Sequence, residues 1–172
     1  MSDEILALIR DVPDFPKPGI LFRDITPLLE NSAAFTRVID TWAKRYAKRG
    51  IAKIAGIESR GFIFASALAL RLGTGLVLMR KPGKLPCPTF SAKYALEYGE
   101  DSLHMHRDAL KAGESVMIVD DVLATGGTLR AAVQLARQAG ANVQAVSTLI
   151  ELAGLKGRAQ LSDVDYFALL TY

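Results

Sequence analysis

The segment from Val116 to Thr128, Val-Met-Ile-Val-Asp-Asp-Val-Leu-Ala-Thr-Gly-Gly-Thr, constrains this chain more than any other stretch. A four-residue apolar run ends in two carboxylates, Asp120 and Asp121. A small-residue loop follows, Ala124-Thr125-Gly126-Gly127-Thr128, and then Leu129, Ala132, Val133 and Ala136 recur at helical spacing. The order predicts a strand, an acidic tip, an anion loop and a helix, with Thr128 suited to cap the helix. Gly126 and Gly127 lack a Cβ, so the unpaired N–H groups of the first helical turn can come close to a ligand, backed by the positive end of the helix dipole. A phosphate fits there, and the Thr125 and Thr128 hydroxyls can donate further hydrogen bonds to it. Asp120 and Asp121 accept hydrogen bonds and repel phosphate, so they suit sugar hydroxyls or a hydrated cation. A ribose 5-phosphate meets both requirements at once.

Such a unit needs a sheet around it. Apolar, β-rich stretches occur at residues 53–57, 75–79, 115–119, 143–150 and 166–170. Helical patterns lie between them at 62–72 and at 128–139, the latter closed by Gly140, and a further helix is predicted over 32–48 with Ser32 as its cap. Alternating strands and helices predict an α/β fold with a parallel sheet covered on both faces. Ligands of such sheets sit beyond the carboxyl ends of the strands, where both Glu58 and Asp120 fall, so these two should converge on one cleft.

At 172 residues the chain is long enough for one domain with a full core. Residues 1–31 read as a small hood: Asp14 to Asp24 is irregular and proline-rich, but too apolar for a solvated tether. Residues 81–106 break the rhythm. Lys81 to Pro88 is rich in Pro, Gly and Lys, and Thr89–Glu97 and Ser102–His106 read as two extended pieces joined near Gly99, a β-hairpin arm or lid. With 21 basic against 18 acidic residues and no long basic run, the composition does not indicate nucleic acid. No apolar run approaches a membrane span and the first residues lack a leader pattern, so a cytoplasmic protein is expected. Cys87 is the only cysteine and there are two histidines, so a metal would be held by oxygen. His104 and His106, two apart on an extended segment, face one side and read as surface or subunit-contact residues.

A second anion site is predicted at Glu58-Ser59-Arg60-Gly61, where Gly61 permits an unusual backbone at a helix start beside the Arg60 side chain. The alternative is an Arg–Glu pair at a tight turn. Arg80, Lys81, Lys84 and Lys93 gather nearby in sequence, where a polyanionic small molecule could dock. Phe22 beside irregular backbone offers a π-face plus N–H and C=O groups, as a 6-amino purine requires, although a core plug under the hood would look the same. Glu97, with its side chain opposite to those of Leu96 and Tyr98, is an acid/base candidate or a solvated strand carboxylate.

The Asp-Asp–Ala-Thr-Gly-Gly-Thr pattern closely resembles the phosphoribosyl pyrophosphate (PRPP) signature of the type I phosphoribosyltransferases. Phe15-Pro16-Lys17-Pro18-Gly19, Phe22-Arg23-Asp24-Ile25, Ala55-Gly56 with Ser59-Arg60-Gly61-Phe62, Arg80-Lys81 with Gly83-Lys84-Leu85-Pro86, Leu96-Glu97-Tyr98-Gly99 and Leu155-Lys156-Gly157-Arg158 are similar to the adenine-specific branch of that family, nearly throughout the chain. Departures are small: Glu58 stands where some members carry Asp, and Pro82 where others carry Arg. The resemblance implies transfer of phosphoribose from PRPP to N9 of adenine, giving AMP and pyrophosphate with Mg²⁺, in a homodimer. It further implies that Phe22 stacks on the purine while the Leu21 and Arg23 backbone reads its edge. Ala124 to Thr128 would hold the 5-phosphate, and Asp120 and Asp121 the ribose and, directly or through water, the metal. Ser59, Arg60, Gly61, Arg80, Lys81 and Lys84 would face pyrophosphate, Glu97 would bond N7 and manage the proton, and Tyr98 would close the lid. Rival readings are a hypoxanthine or guanine enzyme and a PRPP-sensing regulator.

Overall fold

The computed structural model describes residues 2–95 and 100–172. In chain order these form α1 (Ser2–Leu6), β1 (Arg10–Pro13), β2 (Leu21–Asp24), α2 (Thr26–Glu30), α3 (Ser32–Tyr46), β3 (Lys53–Ile57), α4 (Gly61–Leu72) and β4 (Gly75–Met79). Then come β5 (Thr89–Ala95), β6 (Glu100–His106), β7 (Ser115–Leu123), α5 (Gly127–Gln138), β8 (Asn142–Glu151), two 3-10 turns over Ala153–Leu155 and Gly157–Leu161, and β9 (Tyr166–Thr171). Five strands make one parallel sheet in the order β4-β3-β7-β8-β9. The expected α/β architecture is what the chain adopts.

The sheet is covered on both faces because its strands are apolar on both. Ile54, Met117, Val119 and Leu149 pack with Val38, Trp42, Phe64 and Leu68 of α3 and α4. Ala55, Ile57, Val116 and Ile118 pack on the other side with Leu129, Val133 and Ala136 of α5. Trp42 and Phe64 meet edge to face at 5.7 Å, at the centre of the first layer. The chain leaves β3 through α4 to β4 on one side, and leaves β7 through α5 to β8 on the other. The carboxyl ends of β3 and β7 therefore border a crevice where the connections diverge, the place where open α/β sheets bind ligands.

Several local expectations are corrected. The cap of α3 is Asn31, not Ser32: the Asn31 side chain accepts from the Ala34 N–H at 3.0 Å. The hood is not irregular throughout, since β1 and β2 pair antiparallel, Val12 opposite Phe22, and cation and anion cross the ribbon at Arg10–Asp24 and Arg23–Asp11. The hairpin β5–β6 is present, with Tyr94 opposite Asp101. Its Ala92, Tyr94, Leu103 and Met105 are buried in the α5 layer, so this part of the hairpin is packed on the domain rather than held over solvent.

Candidate active site

Strand β7 runs two residues beyond the Asp pair, because β8 extends far enough to give Val122 and Leu123 ladder partners in Ile150 and Glu151. Asp120 and Asp121 thus lie inside the strand instead of forming a tip. Successive strand residues point to opposite faces, and the two carboxylates accordingly front different cavities. Asp120, with Val122 to Gly126, Thr128 and Leu129, lines a cavity of about 130 Å³. Asp121 lines another of about 130 Å³ with Ile20 to Arg23, Arg60, Val122, Ala124, Ile150 and Leu152. Val122 and Ala124 belong to both, so the cavities adjoin.

Helix α5 is capped by Gly126 at φ 89°, not by Thr128. The chain must turn sharply from β7 into the helix, and that turn takes a left-handed residue where a Cβ would also lie 2.5 Å from the Gly157 carbonyl. No side chain caps the helix, which leaves its first N–H groups directed at the loop. Thr125 is exposed beside them and Thr128 is half-buried.

The acidic pair is almost enclosed, at 9% and 4% exposure. Burial, with the Asp121 charge beside it, pushes the Asp120 carboxyl up, and Asp120 accepts from the Asp121 N–H at 2.9 Å. Burial also pushes Asp121 up, against the pull of the Arg60 guanidinium at 2.6 Å. Arg60 pairs with Asp121, so the Asp120 carboxyl keeps acceptor capacity for hydroxyls or a cation. Gly61 has ordinary dihedrals, and its role is space: a Cβ there would lie 2.7 Å from Asp120 Oδ1 and 3.0 Å from the Val119 carbonyl. The unusual backbone expected in this segment lies not at Gly61 but at Glu58–Ser59, whose peptide bond is cis.

In the second cavity Phe22 is half-buried, with Phe15 edge-on at 5.1 Å and the Arg60 guanidinium 4.9 Å from its ring centroid. Leu21 is exposed. Arg23 also lines this cavity, ion-paired with Asp11 and stacked 3.9 Å from the Tyr172 ring.

The cations expected at pyrophosphate are mostly paired. Arg80 makes two hydrogen bonds to Glu58, at 2.9 and 3.2 Å, and a third to the Lys84 carbonyl; the Lys81 N–H also bonds Glu58. The Arg80 hydrogen bonds hold the Glu58 carboxyl below its ordinary range. The Lys81 amine donates to Asp101 and to the Tyr94 hydroxyl; burial alone would lower its pKa, but these bonds outweigh it and the pKa is raised. Asp101 is lowered by the same bond. Lys84 and Ser59 are exposed. Lys93 pairs with Glu100, on the α5 side of the hairpin. Glu97 and Tyr98 lie outside the described residues. His104 sits between Thr89 and Ser102, at 3.1 and 3.3 Å, and Cys87 is exposed.

Sequence reasoning missed Asp101 and Tyr94, whose signal was their cross-strand register, and the bidentate Glu151–Arg158 pair, which had no local signal. Among the described residues no group of three or more His, Cys, Asp or Glu could hold a metal. Asp120 and Asp121 front different cavities and would not chelate one ion together, but each offers oxygen to a hydrated magnesium ion that would take its other ligands from substrate and water.

The fold and loop define a class: the model of the phosphoribosyl transferase domain matches residues 25–169. The chain is 58% identical over 172 residues to the adenine phosphoribosyltransferase of Roseiflexus castenholzii, covering 100% of each. It superposes on the adenine phosphoribosyltransferase of Thermoanaerobacter pseudethanolicus with a TM-score of 0.97, at 48% identity and 100% coverage of both chains. Likewise it superposes on the Saccharomyces cerevisiae enzyme complexed with an imino-altritol bisphosphate and adenine, with a TM-score of 0.93, 41% identity, and 98% and 97% of the two chains covered. The chain belongs to the adenine phosphoribosyltransferase family.

Proposed function

We propose that this chain transfers the 5-phosphoribosyl group of PRPP to N9 of adenine, releasing AMP and pyrophosphate, in purine salvage. The observation that carries the reading is the pair of adjoining cavities: an anion loop in one, an aromatic ring beside strand backbone in the other, and one buried carboxylate in each. A nucleoside monophosphate spans them, with phosphate on Ala124 to Thr128, purine against Phe22, and ribose between, its hydroxyls donating to Asp120 and Asp121. The Leu21 and Arg23 backbone reads the purine edge. Adenine is favoured over hypoxanthine and guanine because a 6-oxo group calls for an available cation, and both arginines lining this cavity are already held, Arg23 by Asp11 and Arg60 by Asp121.

Pyrophosphate lies over Ser59, Arg60 and Gly61, within reach of Arg80, Lys81 and Lys84. As it departs, C1′ gains oxocarbenium character, which the carboxylates beside the ribose stabilise, and the positioned N9 captures it. Glu97 bonds N7 and manages the proton. Water would capture the same cation, so Tyr98 and the far end of the hairpin close over the sugar. The near end of the hairpin is held by Ala92, Leu103 and Met105 in the α5 layer. Magnesium, when bound beside Asp120 and Asp121, offsets the charge of pyrophosphate and makes it a better leaving group.

The working unit is one domain with residues 1–31 as hood and 81–106 as lid, assembled as a homodimer. Leu70 at 85% exposure, with Ile63 on the same helix and Leu76 and Leu78 on the neighbouring edge strand β4, supplies apolar surface for a second copy. Light scattering tests the dimer. A cytoplasmic setting completes the reading, supported by the lone cysteine; cell fractionation tests it. The decisive assay is conversion of labelled adenine to AMP with and without PRPP and Mg²⁺, in competition with hypoxanthine and guanine. Turnover of either competitor in preference to adenine would overturn it.

A further inference from the structure

The turn over Gly157–Leu161 packs against the loop Ala124–Gly126. A Cβ on Gly157 would fall well inside van der Waals distance of the Ala124 carbonyl oxygen and 2.9 Å from the Gly126 nitrogen. Conversely, a Cβ on Gly126 would meet the Gly157 carbonyl at 2.5 Å and the Gln160 side chain at 3.0 Å. The two backbones therefore touch, and only glycine on both sides allows it. Three features hold the turn there. Lys156 adopts a left-handed φ of 54° immediately before it. Arg158 forms a bidentate pair with Glu151, at 3.1 and 2.7 Å, and its guanidinium lies 4.9 Å from the Tyr166 ring centroid. Glu151 is itself 6% exposed and pairs in register with Leu123, the last residue of β7 before the loop. Arg158 thus ties the turn to the strand from which the phosphate loop springs.

We infer that Gly157, locked by the Glu151–Arg158 pair, is a positioning residue for the 5-phosphate: it sets the path of Ala124 to Gly126 and hence the direction of the N–H groups that receive the phosphate. The inference rests on the proposed function, because it takes Ala124–Thr128 as the 5-phosphate site. It explains why Leu155-Lys156-Gly157-Arg158, distant in sequence from the loop, belongs to the same machinery. No contact of this turn with adenine or pyrophosphate is required, so its effect is confined to one part of the substrate.

The test is Gly157→Ala in the full chain, with binding of ribose 5-phosphate and of adenine measured by calorimetry and with steady-state kinetics in PRPP. A displacement of about 1 Å at a substrate-positioning group can cost about 100-fold, so the ribose 5-phosphate Kd and the KM for PRPP should rise about 10- to 100-fold. The adenine Kd and kcat should stay within about threefold, the split expected of lost uniform binding. Arg158→Met, which keeps the stem over Tyr166 but removes the charge pair, should shift the same two constants about threefold to tenfold, and Arg158→Lys should restore part of the loss. Should Gly157→Ala fail to fold, Arg158→Met and its rescue carry the test. Unchanged ribose 5-phosphate affinity in folded variants, or an equal loss for adenine, would overturn the inference while leaving the proposed activity standing. A wild-type protein that makes no AMP and binds no ribose 5-phosphate would overturn that activity and the inference with it.

Discussion

In the proposed function Ala124–Thr128 receives an anion through backbone N–H groups and two hydroxyls and carries no formal charge, whereas Ser59–Gly61 with Arg80, Lys81 and Lys84 relies on long cationic side chains. The first is held by its neighbours: Gly126 is wedged against Gly157, and the helix behind it is buried along Leu129, Ala132, Val133 and Ala136. Three of the four cations at the second are paired with carboxylates before any ligand arrives, through Arg60–Asp121, Arg80–Glu58 and Lys81–Asp101, while Lys84 is exposed. A phosphate at the first site meets donors already aimed at it. A pyrophosphate at the second must exchange partners with carboxylates. Phosphate binding should accordingly depend weakly on ionic strength and pyrophosphate binding strongly, since partly exposed ion pairs are screened.

The largest effect belongs to the hairpin. Glu97→Gln keeps the shape but removes the titratable oxygen, and general acid–base assistance is worth about 10²–10⁴-fold, so kcat should fall by that order. Ribose 5-phosphate affinity, governed by the loop, should stay within about threefold. Near wild-type turnover at saturating adenine and PRPP would make Glu97 a solvated carboxylate and erase the division of labour.

Between the two regions stand the aspartates. Loss of a charge-assisted hydrogen bond to ribose is worth about 1.5–3 kcal/mol, so Asp120→Asn and Asp121→Asn should each lower kcat/KM for PRPP about 10- to 100-fold. Only Asp121→Asn releases Arg60, which lies over Phe22, so only that variant should also raise the KM for adenine. Identical adenine KM values in the two variants would show that their separate cavities have no kinetic meaning.

Asp101→Asn leaves the Lys81 amine with Tyr94 alone and should tighten inhibition by pyrophosphate about twofold to fivefold, the scale of a partly exposed pair, without altering ribose 5-phosphate binding. Weaker inhibition would mean that Asp101 aims Lys81 at the ligand instead of withholding it. The smallest effect is on stability. Because Arg80 holds the Glu58 carboxyl below its ordinary range, the pair stabilises the fold above that range and the contribution is lost as pH falls through the lowered pKa. Thermal melts of wild type and Glu58→Gln should differ by about 2–4 °C at neutral pH and converge in acid. A difference that persists in acid would place the effect in packing.

The sheet, its covering helices and the phosphate loop were legible because each is written in consecutive residues: apolar runs of strand length, a 3.6-residue repeat from Leu129 to Ala136, and a glycine pair between them. Errors came where a neighbour distant in sequence decides. Thr128 looked like a cap by residue type, but the contact with Gly157 and the sharp turn out of β7 put Gly126 there. Asp120 and Asp121 looked like one diol-binding pair at a tip; the length of β8 kept them inside the strand, where alternation sends them to different cavities.

By itself the sequence determined the class of the fold, the glycine-rich loop between strand and helix, and the kinds of side chain available to a sugar phosphate, because those depend on local periodicity and on what each residue can donate or accept. Only the tertiary structure decided which cations are engaged and by whom, that Gly61 serves to admit Asp120, and that residues 157–161 pack against the loop. The reason is physical: a charge or a backbone contact is balanced by whatever lies within a few ångströms, and in a parallel sheet the nearest neighbours of a strand end come from crossovers tens of residues away.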